Sequence, residues 1–147
     1  MVTIDETAPV IVRLSTVIDA PLTTVWAVHT DIAAWPSWNP DIDRAQPGDG
    51  PLVPGSSFGW RSGGLEITST VHELVPGRRI VWGGPAAGIT GVHVWTFEED
   101  GDRVVVHTEE SWSGDPVEAA ADDLRRLLHG SLEGWLAHLK SRVEQGA

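Results

Sequence analysis

The chain has 147 residues, of which 41% are hydrophobic and 21% are charged, and this composition fits one globular domain, residues 1–147. The formal charge of −11 would repel phosphate backbones and anionic lipid headgroups, so neither nucleic acid nor a membrane surface is an expected partner. There is no cysteine, which excludes disulfides, thiolate nucleophiles and cysteine-based zinc sites.

No stretch of about 18 apolar residues is present, so no membrane span is predicted. The N-terminus also lacks a basic stretch followed by an apolar block, which argues against a signal peptide. The protein is therefore expected to be cytoplasmic.

The first predicted elements are a strand and two short helices. VIVRLSTVI, at 10–18, is rich in β-branched residues and predicts a strand. Asp19, as a cap, and a proline two residues later predict a helix start. Apolar residues keep helical spacing through 22–35, but a Thr-Asp pair in the middle predicts a break between two short helices. Pro36 is expected to end the second of them.

Six further strands are predicted over the centre of the chain, where glycine and proline divide the sequence into short β-rich runs. They cover 41–47, 56–62, 65–75, 78–83, 91–98 and 103–112. Because the connections between them are short, neighbouring strands are expected to pair antiparallel.

The last element is predicted to be one long helix over 115–145, which begins with Asp-Pro and carries a sustained apolar stripe. Gly130 and Gly134 are unusual in a helix interior, because glycine there costs about 1 kcal/mol relative to alanine. They suggest close packing, or room for a bound molecule.

This order of elements resembles the helix-grip fold of the START-like (SRPBCC) superfamily, and within it the polyketide cyclase/dehydrase branch. The similar motifs are DAPLTTVWAVHTDIAAWPSWNPDI (19–42), PGSSF (54–58), STVHELVPGRRIVWGG (69–84), VHVWTFEEDGDRVVV (92–106) and EESWSG (109–114). The resemblance implies an α+β fold in which a curved, seven-stranded antiparallel sheet wraps around the long C-terminal helix. It also implies an internal cavity for a hydrophobic or aromatic small molecule.

Alternation of side chains along the strands sorts the residues that would line this cavity. The predicted lining is aromatic with a few polar side chains, which is typical of ligand pockets. It comprises Trp38, Phe58, Trp60, Ser69, Trp82, Trp95, Thr108, Trp112, Leu128 and Trp135. Each tryptophan could also be ordinary core filling. Of the two tryptophans in AAWPSWNPDI (33–42), Trp38 is expected to lean over the cavity and Trp35 to pack against the sheet or the long helix.

His93 and Glu110 are the candidate catalytic residues, because both fall on the predicted inner face. His93, or Glu110 with a pKa raised by burial, could move a proton in a polyketide-type cyclisation or dehydration. The alternatives are a non-catalytic carrier of a hydrophobic ligand and a protein-binding module. The scattered histidines lack metal-ligand spacing, and no phosphate-binding or dinucleotide-binding motif is present, so no metal and no cofactor is predicted.

Overall fold

The computed structural model describes residues 1–146. One antiparallel sheet of seven strands, in the order β1-β7-β6-β5-β4-β3-β2, forms the framework of the protein. The strands are β1 (Val10–Ile18), β2 (Ile42–Pro47), β3 (Ser57–Ser62), β4 (Leu65–Val75), β5 (Arg79–Ala86), β6 (Ile89–Asp100) and β7 (Arg103–Ser113). The predicted number, order and direction of the strands are confirmed.

The hairpin between β5 and β6 is longer than predicted. The two strands continue to the pair Ala86 and Ile89, and only Ala87 and Gly88 form the turn. Both turn residues have positive φ, 52° and 80° respectively, as in the two-residue hairpin turns whose twist matches that of the flanking strands. The Gly-Pro-Ala-Ala-Gly composition indicated a longer loop, because glycine and proline normally interrupt strands.

Two short helices follow β1, as predicted, but their ends differ from the prediction. α1 (Leu22–Thr30) is joined through a 3-10 turn at Ile32–Ala34 to α2 (Trp35–Trp38). Pro36 does not end a helix; it lies in the first turn of α2, where a missing amide hydrogen costs no helical bond. Asp19 does not cap α1, since the capping position is Pro21. The backbone N–H of Asp19 instead donates to Glu144, 2.9 Å away.

The C-terminal helical region is divided, contrary to the prediction of a single helix. α3 (Asp115–Ala119) is separated from α4 (Ala121–Gln145) by Ala120, whose φ of −144° and ψ of 40° lie outside the helical region. Three consecutive alanines give no sequence signal for this break, because alanine is the best helix former.

α4 lies against the concave side of the sheet and buries the predicted apolar stripe, Leu128, Leu132, Trp135, Leu136, Leu139 and Val143. A Cβ at Gly134 would lie 3.3 Å from an Asp41 carboxylate oxygen, so close packing explains that glycine, whereas a Cβ at Gly130 would meet no atom within 4 Å. Among residues 1–146, no helix is long and apolar enough to cross a membrane.

The N-terminal segment covers part of the convex side of the sheet. Ile4 is buried against Val81 and Val94, which point away from α4. The backbone of Val2 is held at both polar groups: its N–H donates to Glu73 and its carbonyl accepts from Arg79. This second small core explains why β5 and β6 are apolar on both faces.

Candidate functional site

The space between the sheet and α4 is filled by aromatic rings. Trp135 of α4 lies at their centre, with ring centroids of Trp35, Trp95 and Trp38 at 5.0, 5.5 and 5.8 Å. All three pairs meet edge to face, the geometry that the ring quadrupole favours. The predicted internal cavity is therefore occupied by side chains that touch one another.

All ten residues of the predicted lining lie on this concave side. The buried members are Trp38, Phe58, Ser69, Trp82, Trp95, Thr108, Leu128 and Trp135, and the half-buried members are Trp60 and Trp112. Trp60, near the edge of the sheet, donates its indole N–H to the Ser69 hydroxyl, 3.1 Å away. These residues share one side of the sheet, as strand alternation predicts, but they pack as a core where an open cavity was expected.

Trp35 and Trp38 take different positions. Trp35 is fully buried between the sheet and α4, and its indole N–H donates to the carbonyl oxygen of His29 at 2.8 Å. Trp38 contacts Trp135 on one side and borders a surface cleft of about 290 Å³ on the other, with Ser37 and Arg142 among its walls. This cleft is open to solvent at the end of α4.

His93 and Glu110, the two candidate catalytic residues, are brought together. They are directly paired across β6 and β7, and His93 Nδ1 lies 3.1 Å from Glu110 Oε1. Two further side chains complete the cluster: His93 Nε2 is 2.7 Å from Thr108 Oγ1, and the Trp112 indole N–H donates to Glu110 Oε2 at 2.7 Å. A polar chain of four residues therefore crosses an otherwise aromatic lining.

Burial sets the protonation of this cluster. Loss of water raises the pKa of Glu110 to about 7, although the hydrogen bond from Trp112 opposes the rise. Burial, and to a smaller extent the charge interaction with His29, lowers the pKa of His93 well below its ordinary value. At neutral pH the histidine is uncharged, and Glu110 is the group that gains and loses a proton.

Three members of the chain, Glu110, His93 and Thr108, can exchange protons, whereas the Trp112 indole only donates a hydrogen bond. When Glu110 is protonated, its hydroxyl can donate to His93 Nδ1, and the Nε2–H can then donate to Thr108. When Glu110 is ionised, the other histidine tautomer donates to the carboxylate, and Thr108 donates to Nε2. Each protonation state of the carboxyl group thus has a matching tautomer of His93.

His29 is an interior residue that the sequence prediction did not assign to the site. It is fully buried on α1, and burial lowers the pKa of its side chain to about 3. Its ring contacts Trp95 at 4.5 Å and Phe97 at 5.1 Å between centroids. The available signal was its position four residues after Val25, which places both on the apolar face of the helix.

The fold and this lining agree with the family comparison. The family described as "Polyketide cyclase / dehydrase and lipid transport" matches residues 9–144. The chain belongs to this family. The assignment agrees with binding of a hydrophobic ligand, and it confirms the resemblance seen in the sequence motifs. A search of the curated proteins finds no match to the chain.

Solved structures share the whole fold at low sequence identity. A hypothetical protein of Helicobacter pylori, jhp0584, is 20% identical with a TM-score of 0.83, over 97% of both chains. A START superfamily protein of Mycobacterium smegmatis is 19% identical with a TM-score of 0.79, over 93% of this chain and 99% of that one. The Zhui aromatase/cyclase of Streptomyces sp. R1128 is 16% identical with a TM-score of 0.78, over 92% and 93%. These similarities establish the START-like helix-grip fold.

Within residues 1–146, no group of three or more histidine, aspartate or glutamate side chains is arranged to hold a metal ion. The polar atoms of the interior are instead imidazole, carboxyl, hydroxyl and indole groups. These groups suit proton transfer and hydrogen bonding to an organic ligand.

Proposed function

We propose that this protein binds a hydrophobic or aromatic small molecule between the sheet and α4, and catalyses a polyketide-type cyclisation or dehydration there. The observation that carries the proposal is the pairing of Glu110 with His93 at 3.1 Å inside an aromatic lining. A buried carboxyl group whose pKa lies near neutrality can act as both base and acid, which this chemistry requires.

Glu110 is the proposed proton carrier, and His93 positions it. As a carboxylate, Glu110 removes an acidic proton from a carbon between two carbonyl groups. The resulting enolate carbon forms a bond to another carbonyl carbon of the same molecule, and that carbonyl oxygen takes up a proton from the carboxylic acid. Loss of this hydroxyl group together with a neighbouring C–H proton then releases one water. No oxidant or reductant is needed.

The aromatic rings supply the second requirement, a folded substrate. Holding two reactive groups in contact can be worth an effective molarity of about 10⁵ M or more. A flexible chain packed among Trp82, Trp95 and Trp135 would be held in a compact shape by apolar contact with ring faces. The rings must separate to admit it, so ligand contacts replace contacts between the rings.

We propose that the ligand reaches the His93–Glu110 cluster by passing the side chains of Glu110 and Trp112. The Glu110 side chain is 16% exposed and Trp112 is half-buried, whereas the His93 side chain is only 3% exposed. Both residues lie towards the end of β7 that leads into α3, and Trp112 is paired with Gly91 of β6. A ligand that enters here meets the carboxyl group first.

A non-catalytic carrier is the second candidate, because the aromatic lining alone would bind an apolar molecule without chemistry. Native mass spectrometry of the purified protein distinguishes an occupied from an empty interior. Incubation with a short linear poly-β-ketone thioester, followed by mass spectrometry, then tests for turnover. We expect a cyclised product that has lost one water.

The matched variants for this experiment are Glu110→Gln and Glu109→Gln. Glu109 is the adjacent residue on the opposite face of β7 and pairs with Arg13, so its substitution controls for the loss of a charge. We expect Glu110→Gln to lower turnover by about 10² or more, the usual contribution of a general acid or base, and Glu109→Gln to leave it unchanged. Binding without turnover by the unmodified protein would favour the carrier.

A further inference from the structure

The interior contains a second group of polar side-chain atoms, apart from the His93–Glu110 pair, that the proposed proton transfer does not use. His29 and Trp95 are both fully buried, and their ring centroids are 4.5 Å apart. Within residues 1–146, neither the two ring nitrogens of His29 nor the indole nitrogen of Trp95 has a hydrogen-bond partner. Buried polar groups in folded proteins are nearly always paired, so three unpaired atoms in one place indicate a missing partner.

Several other polar side chains of the interior have a hydrogen-bond partner, although among residues 1–146 the buried Trp38 indole nitrogen, on α2, has none. The side chain of His93 is hydrogen-bonded to Thr108, that of Trp60 to Ser69, and that of Trp35 to a backbone carbonyl oxygen. His29 is instead surrounded by carbon: Trp82, Phe97 and Trp135 contact it in addition to Trp95. Because none of these rings offers a conventional acceptor for an imidazole N–H, the partner must come from outside the side chains that pack around it.

His29 is neutral in this environment, so its ring carries one N–H donor and one nitrogen acceptor. The Trp95 indole adds a donor only. A hydroxyl group can accept from the indole and donate to the free nitrogen of the imidazole at the same time, which pairs two of the three atoms. A carbonyl group can only accept, and a hydrocarbon can do neither.

We propose that His29 and Trp95 bind a hydroxyl group of the ligand, of the phenol or enol type. The inference rests on the proposed function, since it assumes a ligand in the same interior. Trp95 contacts His29 on one side and His93 at 5.0 Å on the other. The ligand class is therefore an aromatic or polyketide-like molecule with a hydroxyl group at one end and a second oxygen that reaches the His93–Glu110 pair.

Two probes that differ only in this hydroxyl group test the proposal. β-Naphthol can donate a hydrogen bond, whereas its methyl ether keeps the ring and the oxygen but cannot donate. Isothermal titration calorimetry of both probes would be performed on the unmodified protein, on His29→Phe and on His107→Phe. His107 is exposed on the outer face of β7, so its substitution is the control for loss of a histidine.

We expect the unmodified protein and His107→Phe to prefer β-naphthol by about tenfold, the usual value of one buried hydrogen bond. His29→Phe should bind both probes within about twofold of each other, since the acceptor is gone while the apolar lining is kept. An independent measurement needs no variant of His29: the indole N–H resonance of Trp95, assigned by its loss in Trp95→Phe, should shift when β-naphthol is added.

The outcomes separate this inference from the proposed function. Equal affinity for both probes in the unmodified protein, or an unchanged preference in His29→Phe, would show that the hydroxyl group does not bond to His29 and would overturn the inference. Binding of an apolar probe in that case still supports the proposed function. Failure of the unmodified protein to bind either probe would contradict both proposals.

Discussion

His93 and Glu110 face each other across adjacent strands, with His93 Nδ1 and Glu110 Oε1 3.1 Å apart, and their pKa values are displaced in opposite directions. Burial disfavours the charged form of both side chains. It therefore keeps the histidine neutral and keeps the carboxyl group protonated to a higher pH than in water. At neutral pH the histidine is therefore neutral and Glu110 is about half protonated, so the pair carries less charge among the aromatic rings than an ordinary glutamate would.

Stability should depend on Glu110 in the range between its unfolded and folded pKa values. The folded pKa is raised from 4.5 to about 7, so the folded state holds the proton more tightly than the unfolded state. The stabilisation is fully present below the unfolded value and is lost as the pH rises through the folded value. The loss amounts to at most about 3–4 kcal/mol, from about 1.4 kcal/mol per pKa unit.

Urea unfolding of the unmodified protein and of Glu110→Gln, at about pH 5 and about pH 8, measures this contribution. The glutamine side chain of the variant cannot ionise, so the variant should gain stability relative to the unmodified protein as the pH rises. A constant difference between the two proteins at both pH values would contradict the raised pKa.

His29 should make the protein sensitive to acid. Its folded pKa is lowered from 6.5 to about 3, so at mildly acidic pH the unfolded state binds a proton that the folded state does not bind. Stability should therefore fall as the pH drops below about 6.5, by about 2 kcal/mol at pH 5 from this residue alone. His29→Phe should flatten that part of the stability curve. If the variant follows the same acid profile as the unmodified protein, burial of His29 is not the cause.

Trp135 should be the most costly aromatic residue to truncate, because it contacts rings from α1, α2 and the sheet together. Trp135→Ala is expected to lower the free energy of unfolding by about 3–5 kcal/mol, the usual loss for a large buried aromatic side chain. The control is Leu127→Ala on the same helix, since Leu127 is 62% exposed and should change stability by less than about 0.5 kcal/mol. Equal effects in the two variants would argue against the described packing of α4.

Replacement of Ala87 by glycine should stabilise the protein. It has a φ of 52° in the β5–β6 turn, a conformation that is unfavourable for any residue with a Cβ. Ala87→Gly is expected to raise the free energy of unfolding by up to about 1 kcal/mol, whereas Ala86→Gly in the adjacent strand position should lower it. Thermal unfolding of both variants measures the difference. Destabilisation by Ala87→Gly would show that the turn has another geometry.

Much of this fold could be predicted because its signals are local. Gly-Pro punctuation and β-branched runs marked all seven strands, and their alternation placed Trp95 and Thr108 on the inner face. The boundaries of the helices were harder to predict from sequence. The break at Ala120 lies among alanines, and Pro36 can start a helical turn as well as end a helix.

The site was predictable in part for the same reason. His93 and Glu110 share a face by strand parity, and the absence of a bulge between β6 and β7 preserved their register. His29 was passed over, because a histidine on a helix stripe gives no indication that its ring nitrogens lack partners. The filling of the expected cavity also depends on how rings from several different elements meet, which no local pattern records.

The pH dependence of turnover tests most directly whether Glu110 moves the proton in the aromatic interior. For a poly-β-ketone thioester, kcat/KM should change around the pKa of Glu110, about 7 in the folded protein. That dependence should be kept in Glu109→Gln and lost in Glu110→Gln, together with most of the rate. A pH profile around neutrality that is the same in Glu110→Gln as in the unmodified protein would show that Glu110 does not move the proton.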